Sequence, residues 1–199
     1  MKKSSTVSLV TVSLFASLSA IGAFIKIPLP YVPFTLQVLF VFLAGSLLGS
    51  KKGFQSQLIY VAIGLAGLPV FTQGGGIGYV LQPTFGYLIG FMAGAYVVGA
   101  IIERVSNPKI SHFIIANFAG LAVVYFFGVI YLYIALNMWM GVESSFAHAV
   151  MIGFVYSIAG DLVISIIAGF LAVRLYKAFQ SMGNRKYPIQ KESSMINSK

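Results

Sequence analysis

Residues 68–91, LPVFTQGGGIGYVLQPTFGYLIGF, lie between two hydrophobic segments, but they do not share the continuous apolar pattern of those segments. They include three consecutive glycines, several uncharged hydrogen-bonding side chains and several aromatic rings. Glycine reaches positive φ and approaches other groups closely. A long aperiodic segment inside a compact chain is usually functional or disordered, and the aromatic content argues against disorder. We therefore interpret this stretch as a lid over a small molecule, with a helical cup beneath it.

The composition predicts an integral membrane protein. The 199 residues are 58% hydrophobic and only 9% charged, whereas a soluble domain carries about 25% charged residues. The chain has no cysteine, two histidines and four acidic residues, so metal sites lack ligands. The net charge of +9 suggests nucleic acid binding at first. However, the basic residues lie at segment ends and in the tail, which is typical of membrane topology, so we predict lipid rather than nucleic acid as the surroundings.

Hydrophobic length predicts an all-α fold with six transmembrane helices. They are residues 7–25, 34–49, 54–68, 86–102, 112–138 and 147–176. The second and third are near the lower length limit for a span, and a rigid proline-rich loop at residues 27–33 precedes the second. The first is too long for the apolar region of a secretory signal peptide. We assign residues 1–176 to a six-helix membrane substrate-binding domain and residues 177–199 to a polar cytoplasmic tail.

The distribution of basic residues predicts the orientation. With six crossings, one side carries Lys2, Lys3, Lys51, Lys52, Arg104, Lys109 and the basic tail. The opposite side carries only Lys26 and Glu143. Positive residues stay cytoplasmic, so we predict that both termini are inside and that the proline loop and the glycine lid face each other outside.

Asp161 is the only acidic residue deep inside a predicted span. A charge at membrane depth is costly and marks a functional site by default. The alternatives are a carboxylate that caps a helix break after Gly160 or one that is hydrogen-bonded to Asn117. We favour a ligand role, because a carboxylate can accept two parallel N–H groups such as those of a urea or an amidine.

Other candidate binding residues lie in the two outer loops. Thr35 and Gln37 can face inward from the top of the second helix, although threonine is also a common helix cap. The amides of Gly74 and Gly75 can bind an anion or belong to a flexible turn. The full set of candidate substrate-binding residues is Lys26, Thr35, Gln37, Gln73, Gly74, Gly75, Tyr79, Tyr87, Asn117 and Asp161.

Each of the remaining candidates also has a less specific interpretation. Tyr79 and Tyr87 can wall an apolar ligand or sit at the membrane interface. Lys26 can attract a carboxylate or extend its ammonium to the interface. Ala16 and Ala20 give the first helix a smooth face, which suits a partner subunit and internal packing equally well.

The chain has no nucleophile–base pair within the spans and no Walker motif. These features argue against an enzyme and against ATP hydrolysis by this chain. An alternative function is a stand-alone membrane carrier or channel for a small neutral or anionic solute. A single intramembrane acid offers no chain of ionisable groups for a proton relay, which disfavours that alternative.

Ordered motifs add a family resemblance across residues 7–176. They are PFTLQ at 33–37, KKG at 51–53, GLPVF at 67–71, GGGIGY at 74–79 and PTFGYLIGF at 83–91. Together they resemble the BioY family, the biotin-specific S components of energy-coupling factor (ECF) transporters. The resemblance implies a six-helix protein of a bacterial plasma membrane that binds biotin as transported substrate, with no cofactor. It also implies partnership with a transmembrane coupling subunit and two ATPases.

The resemblance implies roles for particular residues. Ala16 and Ala20 match the family's docking motif on the first helix, and Asp161 matches the family's ligand for the ureido ring. Ile164 stands where the family typically has a lysine, so another group must replace that lysine or the ring carbonyl is bound differently. The orientation of biotin in the site stays open.

Overall fold

The computed structural model describes residues 2–29 and 31–181, and this part of the chain is predominantly helical. The α-helices are α1 Lys2–Phe24, α2 Gln37–Leu48, α3 Ser50–Leu65, α4 Phe85–Glu103, α5 Ile110–Met138, α6 Phe146–Val150 and α7 Tyr156–Ser181. A π-helical segment, Met151–Val155, joins α6 to α7, and a 3₁₀ helix, Ile77–Leu81, precedes α4. Two short strands, β1 Lys26–Ile27 and β2 Phe34–Thr35, form an antiparallel ribbon.

The predicted all-α membrane class is confirmed. Four helical stretches are long and apolar enough to cross a membrane: Thr6–Phe24, Phe85–Glu103, Ile110–Met138 and Phe146–Phe179. The short helix α2, with 12 residues, is apolar too. At 1.5 Å per residue it is about 18 Å long, less than the hydrocarbon core of about 30 Å. The count of six crossings therefore stays a prediction.

Helix α2 occupies the centre of the bundle. It packs against α1, α3, α4 and α7, and most of its residues are buried. A helix that is apolar all round is typical of such a surrounded position. Its N-terminal residue, Gln37, lines the pocket described below.

Several helix boundaries differ from the predicted ones. Helix α2 begins at Gln37 rather than at residue 34, because Phe34 and Thr35 pair with β1. Helix α3 begins at Ser50 rather than at residue 54, so the lysine pair lies in its first turn and not in a loop. The last helix continues to Ser181, past the predicted start of the polar tail, and the rest of that tail lies outside the described residues.

The start of α3 is fixed by one carboxylate. Gly49 adopts φ 88° and separates α3 from α2. The Ser50 backbone N–H donates to Glu103 Oε1 at 3.0 Å, and its hydroxyl donates to Oε2 at 2.7 Å. An acidic group at a helix N-terminus satisfies free amides and complements the helix dipole. Glu103, at the end of α4, thereby fastens α3 to α4.

Helices α4 and α5 approach each other closely through glycines. A Cβ placed on Gly90 would lie 2.8 Å from both Cα and O of Val124, and one placed on Gly86 would lie 2.7 Å from the Phe127 carbonyl oxygen. Small residues of this kind let helix backbones come together in membranes. This contact sets the distance between the two helices that carry Tyr87 and Tyr125.

Gly90→Ala is expected to destabilise the protein. Overpacking costs about 1–3 kcal/mol, and the upper part of that range applies because backbone atoms cannot rotate away. The gain in helix propensity, about 1 kcal/mol, offsets only part of this cost. We expect a net loss of about 1–2 kcal/mol, seen as a lower Tm in detergent. Gly78→Ala is the control, since a Cβ there meets nothing within 4 Å. Equal Tm values for Gly90→Ala and Gly78→Ala would contradict the close packing of α4 against α5.

The segment between α3 and α4 is an ordered loop. Phe71 and Gly74 exchange backbone hydrogen bonds, and the Gly76 N–H donates to Gly64 O at 2.7 Å. The Phe71 ring is 1% exposed and packs edge-on against Tyr60. At its far end the segment is tied to α5, because Trp139 Nε1 donates to Leu81 O at 2.7 Å. A closing movement of this loop stays a prediction.

Candidate functional site

A buried pocket lies where the proline loop, the start of α2, the glycine segment, α4, α5 and α7 meet. Apolar, aromatic and polar side chains line it together. The polar side chains that line it are Thr35, Gln37, Thr72, Tyr79, Thr84, Tyr87, Tyr125, Ser157 and Asp161. The cavity has a volume of about 50 Å³. A concave site with apolar and aromatic walls and convergent polar groups is typical of small-molecule binding.

Asp161 provides the pocket with its carboxylate. The side chain is 7% exposed, and the Tyr125 hydroxyl donates a hydrogen bond to its Oδ2 atom. Among the described residues, Tyr125 is the only side chain that is hydrogen-bonded to this carboxylate. A carboxylate has room for about four hydrogen bonds, so Asp161 keeps the capacity to accept donors from a ligand.

Tyr125 is held in place by aromatic neighbours. Its ring lies edge-on to Tyr87, with centroids 6.2 Å apart, and edge-on to Phe154, at 4.9 Å. Edge-to-face arrangements at these distances are favourable. The Tyr87 hydroxyl is engaged as well, because it donates to Gly153 O at 2.7 Å. Both tyrosines therefore present fixed rings to the pocket.

A polar chain runs from the pocket at the N-terminus of α2 into α3. The Thr35 hydroxyl donates to Gln37 Oε1 at 3.1 Å, and Gln37 Nε2 donates to the Tyr60 hydroxyl at 2.9 Å. Tyr60 in turn donates to Val70 O at 3.1 Å. Thr35 Oγ1 also accepts the Gln37 backbone N–H at 3.4 Å. Thr35 thus lines the pocket and contacts the first amide of α2, but it is not the cap of that helix, because the N-cap position is Leu36 and has no side-chain cap bond.

Tyr79 closes the pocket on the side of the glycine segment. Its hydroxyl lies 2.9 Å from Thr72 Oγ1 and 3.1 Å from Thr84 Oγ1. Its ring packs on Phe71 with centroids 4.4 Å apart. The two ends of the segment are therefore joined through one buried hydroxyl, and the predicted position of Tyr79 at a ligand wall is consistent with this geometry.

Five of the predicted binding residues do not line the pocket: Lys26, Gln73, Gly74, Gly75 and Asn117. Lys26 Nζ donates to Thr72 O and fastens the ribbon to the loop. The Gly74 N–H donates to Phe71 O at 3.3 Å, which favours the turn over the anion site. Asn117 Nδ2 donates to Ser165 O at 2.8 Å, so the alternative bond from Asn117 to Asp161 is not formed.

The sequence interpretation did not single out Tyr125 or Ser157, which both line the pocket. Tyr125 lies midway along an apolar helix, and Ser157 follows the π-helical segment. A serine and a tyrosine in apolar surroundings carry no charge that would mark them. Only Ser157 could have been found from the sequence, because it lies four residues before Asp161 and therefore on the same helical face.

Ala16 and Ala20 of α1 both line one groove between α1 and α3, but they differ in how deeply they are buried. Ala16 is 4% exposed and packs against the rest of the protein, which favours the internal-packing interpretation for this residue. Ala20 is half-buried and lies with Ile59 and Ile63 along a groove of about 240 Å³ between α1 and α3. Ala20 therefore remains available to a partner helix.

The fold and the pocket define a class: a helical membrane protein that encloses a small-molecule site. The family model for the BioY family matches residues 1–181. The chain belongs to the BioY family, and the resemblance found in the sequence is confirmed.

Curated relatives cover most of the chain. The chain is 60% identical over 181 residues to the probable biotin transporter BioY of Lysinibacillus sphaericus. This alignment covers 91% of this chain and 92% of the relative. It is 38% identical over 170 residues to the biotin transporter BioY of Thermotoga maritima. That alignment covers 85% of this chain and 95% of the relative.

A solved structure has a similar fold. It is the crystal structure of the S-component for biotin from an ECF-type ABC transporter. The TM-score is 0.76 at 27% sequence identity, and the match covers 89% of this chain and 94% of that one. The similarity therefore extends over the whole bundle and is not limited to single helices.

Proposed function

We propose that this chain binds biotin within the membrane with high affinity and delivers it for uptake as the substrate-specific subunit of an ECF-type transporter. It is a multi-pass protein of the bacterial plasma membrane and not an enzyme. The observation that carries the proposal is that a member of the BioY family, with relatives named biotin transporters, encloses a pocket with one buried carboxylate.

The chemistry of the pocket suits the two ends of biotin differently. The ureido ring has two N–H donors, and Asp161 is an acceptor with free capacity. Biotin's own carboxylate would be repelled by Asp161, since like charges in a low-dielectric site disfavour each other. We therefore place the ureido ring at Asp161. For the carboxylate end we propose the second N–H of the Gln37 amide and the Thr84 hydroxyl as uncharged donors, since both residues line the pocket.

The aromatic walls suit the fused rings of the vitamin. Phe34, Phe91 and Tyr79 line the same pocket. The present volume of about 50 Å³ holds a few water molecules, since each needs about 10–15 Å³. A bicyclic ligand needs more room, so we expect side chains or loop segments around the pocket to adjust when it binds.

The proposed partners are a transmembrane coupling subunit and two ATPases. This chain carries no Walker motif, so the proposal assigns ATP hydrolysis to the partner ATPases. A stand-alone carrier is the disfavoured alternative, because Asp161 is the one acidic side chain among the described residues that line the pocket and a single acid offers no proton relay.

Mass spectrometry of the small molecules released from detergent-purified protein tests the proposed function. The wild-type protein is expected to release biotin, and Asp161→Asn, purified in parallel, is expected to release much less. Release of a different solute at one equivalent would replace biotin as the proposed substrate.

Cysteine labelling tests the proposed orientation, in which both termini are cytoplasmic. The chain has no cysteine of its own, so single substitutions report directly. Ile77→Cys suits the outer loop because Ile77 is 75% exposed, whereas a Cβ on Gly75 would lie 2.1 Å from Leu68 O. In whole cells an impermeant reagent should label Ile77→Cys and not Lys51→Cys. The reverse pattern would overturn the orientation.

A further inference from the structure

Ser157 has a buried hydroxyl that faces the pocket. The residue lies in the first turn of α7, lines the pocket and is 5% exposed. Within residues 2–29 and 31–181 its Oγ atom has no hydrogen-bond partner. A buried hydroxyl without a partner costs free energy, so its position calls for an explanation.

The neighbouring Ser165 shows what a serine in α7 ordinarily does. Its hydroxyl donates to the carbonyl oxygen four residues earlier, Asp161 O, at 2.6 Å. This local bond is the common way for serine inside a helix to satisfy its donor. The corresponding acceptor for Ser157 is the carbonyl of Gly153.

The Gly153 carbonyl is already occupied from outside the helix. The Tyr87 hydroxyl, from α4, donates to Gly153 O at 2.7 Å. Gly153 also belongs to the π-helical segment, where the regular backbone pattern is interrupted, and such segments occur frequently at functional sites. Tyr87 therefore competes for the acceptor that Ser157 would use, and the Ser157 hydroxyl has no partner among the described residues.

The pocket lacks a cationic donor. None of the described residues that line it is basic. Ile164, three residues after Asp161, is 6% exposed within the hydrophobic core and does not line the pocket. An acceptor on a ligand near Asp161 must consequently be met by a neutral donor.

We infer that the Ser157 hydroxyl is a ligand-binding group that donates to the carbonyl oxygen of the ureido ring while Asp161 accepts an N–H of the same ring. The inference rests on the proposed function. Residues four apart lie on one helical face, with Cβ atoms about 5–6 Å apart. A cyclic urea presents an N–H and the C=O side by side along one edge. One acceptor and one donor, a helical turn apart on α7, match that edge.

Isothermal titration of Ser157→Ala with two ligands tests the inference. The ligands are biotin and 2-thiobiotin, in which sulfur, a weak acceptor, replaces the ureido oxygen. Loss of one neutral hydrogen bond should weaken biotin binding about three- to tenfold. The same substitution should change 2-thiobiotin binding less than about twofold, because little of the bond exists to be lost.

Ser46→Ala is the matched control. Ser46 also has a buried hydroxyl without a described partner, but it lies in α2 and does not line the pocket. Its removal should leave both affinities within about twofold of the wild type. Ser157→Cys keeps the size of the side chain with a weaker donor, and it replaces Ser157→Ala if the latter does not fold.

The outcomes separate the inference from the proposed function. If Ser157→Ala binds biotin as tightly as the wild type, the inference is overturned while biotin binding stands. The same comparison applies to Ser157→Cys if Ser157→Ala does not fold. An equal loss for biotin and 2-thiobiotin would overturn it too, since the effect would not involve the carbonyl. A wild-type protein that binds no biotin would refute the proposed function and the inference with it.

Discussion

Asp161→Asn is expected to lower the affinity for biotin by about tenfold to a thousandfold. A hydrogen bond to a charged group contributes about 1.5–3 kcal/mol, and an unpaired buried donor adds further cost. About 1.4 kcal/mol corresponds to a factor of ten in affinity. The asparagine keeps the size of the side chain, but its NH₂ group opposes the N–H donors of the ureido ring. The protein should still fold, because removing a charge at membrane depth relieves its desolvation.

A double-mutant cycle tests this expectation. Biotin and an analogue methylated on a ureido nitrogen are titrated calorimetrically against the wild type and against Asp161→Asn. The analogue should lose affinity for the wild type and much less for the variant. Glu143→Gln is the control, since Glu143 is exposed and does not line the pocket. Near-zero coupling would mean that Asp161 is structural and that the ureido ring lies elsewhere.

Ala20→Trp is expected to abolish co-purification with the coupling subunit while biotin affinity stays within about twofold. A bulky ring in the groove between α1 and α3 would block the close approach of a partner helix. Ala20 suits this test better than Ala16, since Ala16 is only 4% exposed and a tryptophan there would disturb internal packing.

Ile21→Trp is the control for the groove. Ile21 neighbours Ala20 in the sequence but is 52% exposed and does not line the groove. A tryptophan at this position should leave assembly intact. If Ala20→Trp assembles as well as Ile21→Trp, the small-residue face serves only the packing of this bundle.

The site residues that the sequence could locate are those whose residue type is unusual for the surrounding segment. Asp161 is a charge within an apolar helix, so its cost alone marks it. Thr35, Tyr79 and Tyr87 flank loops with a distinctive composition, and the structure brings them to one pocket. The glycine amides were a weaker prediction, because sequence does not reveal whether a loop uses its own N–H groups internally.

The residues that sequence could not locate depend on the rotation and the ends of helices. Helix α5 is apolar on all sides, so no periodicity shows that Tyr125 faces Asp161 rather than lipid. The unpartnered hydroxyl of Ser157 lies next to a carbonyl, that of Gly153, which Tyr87 binds from far away in the sequence. The β1–β2 ribbon has two residues in each strand, which is too short for any alternation to be visible.

The central claim is that this pocket binds biotin, and calorimetric titration of the purified wild-type protein with biotin tests it most directly. The account predicts saturable one-to-one binding with a submicromolar Kd that is lost or strongly weakened in Asp161→Asn. Absence of saturable binding at biotin concentrations up to its solubility, in protein that is folded and monodisperse, would contradict the account.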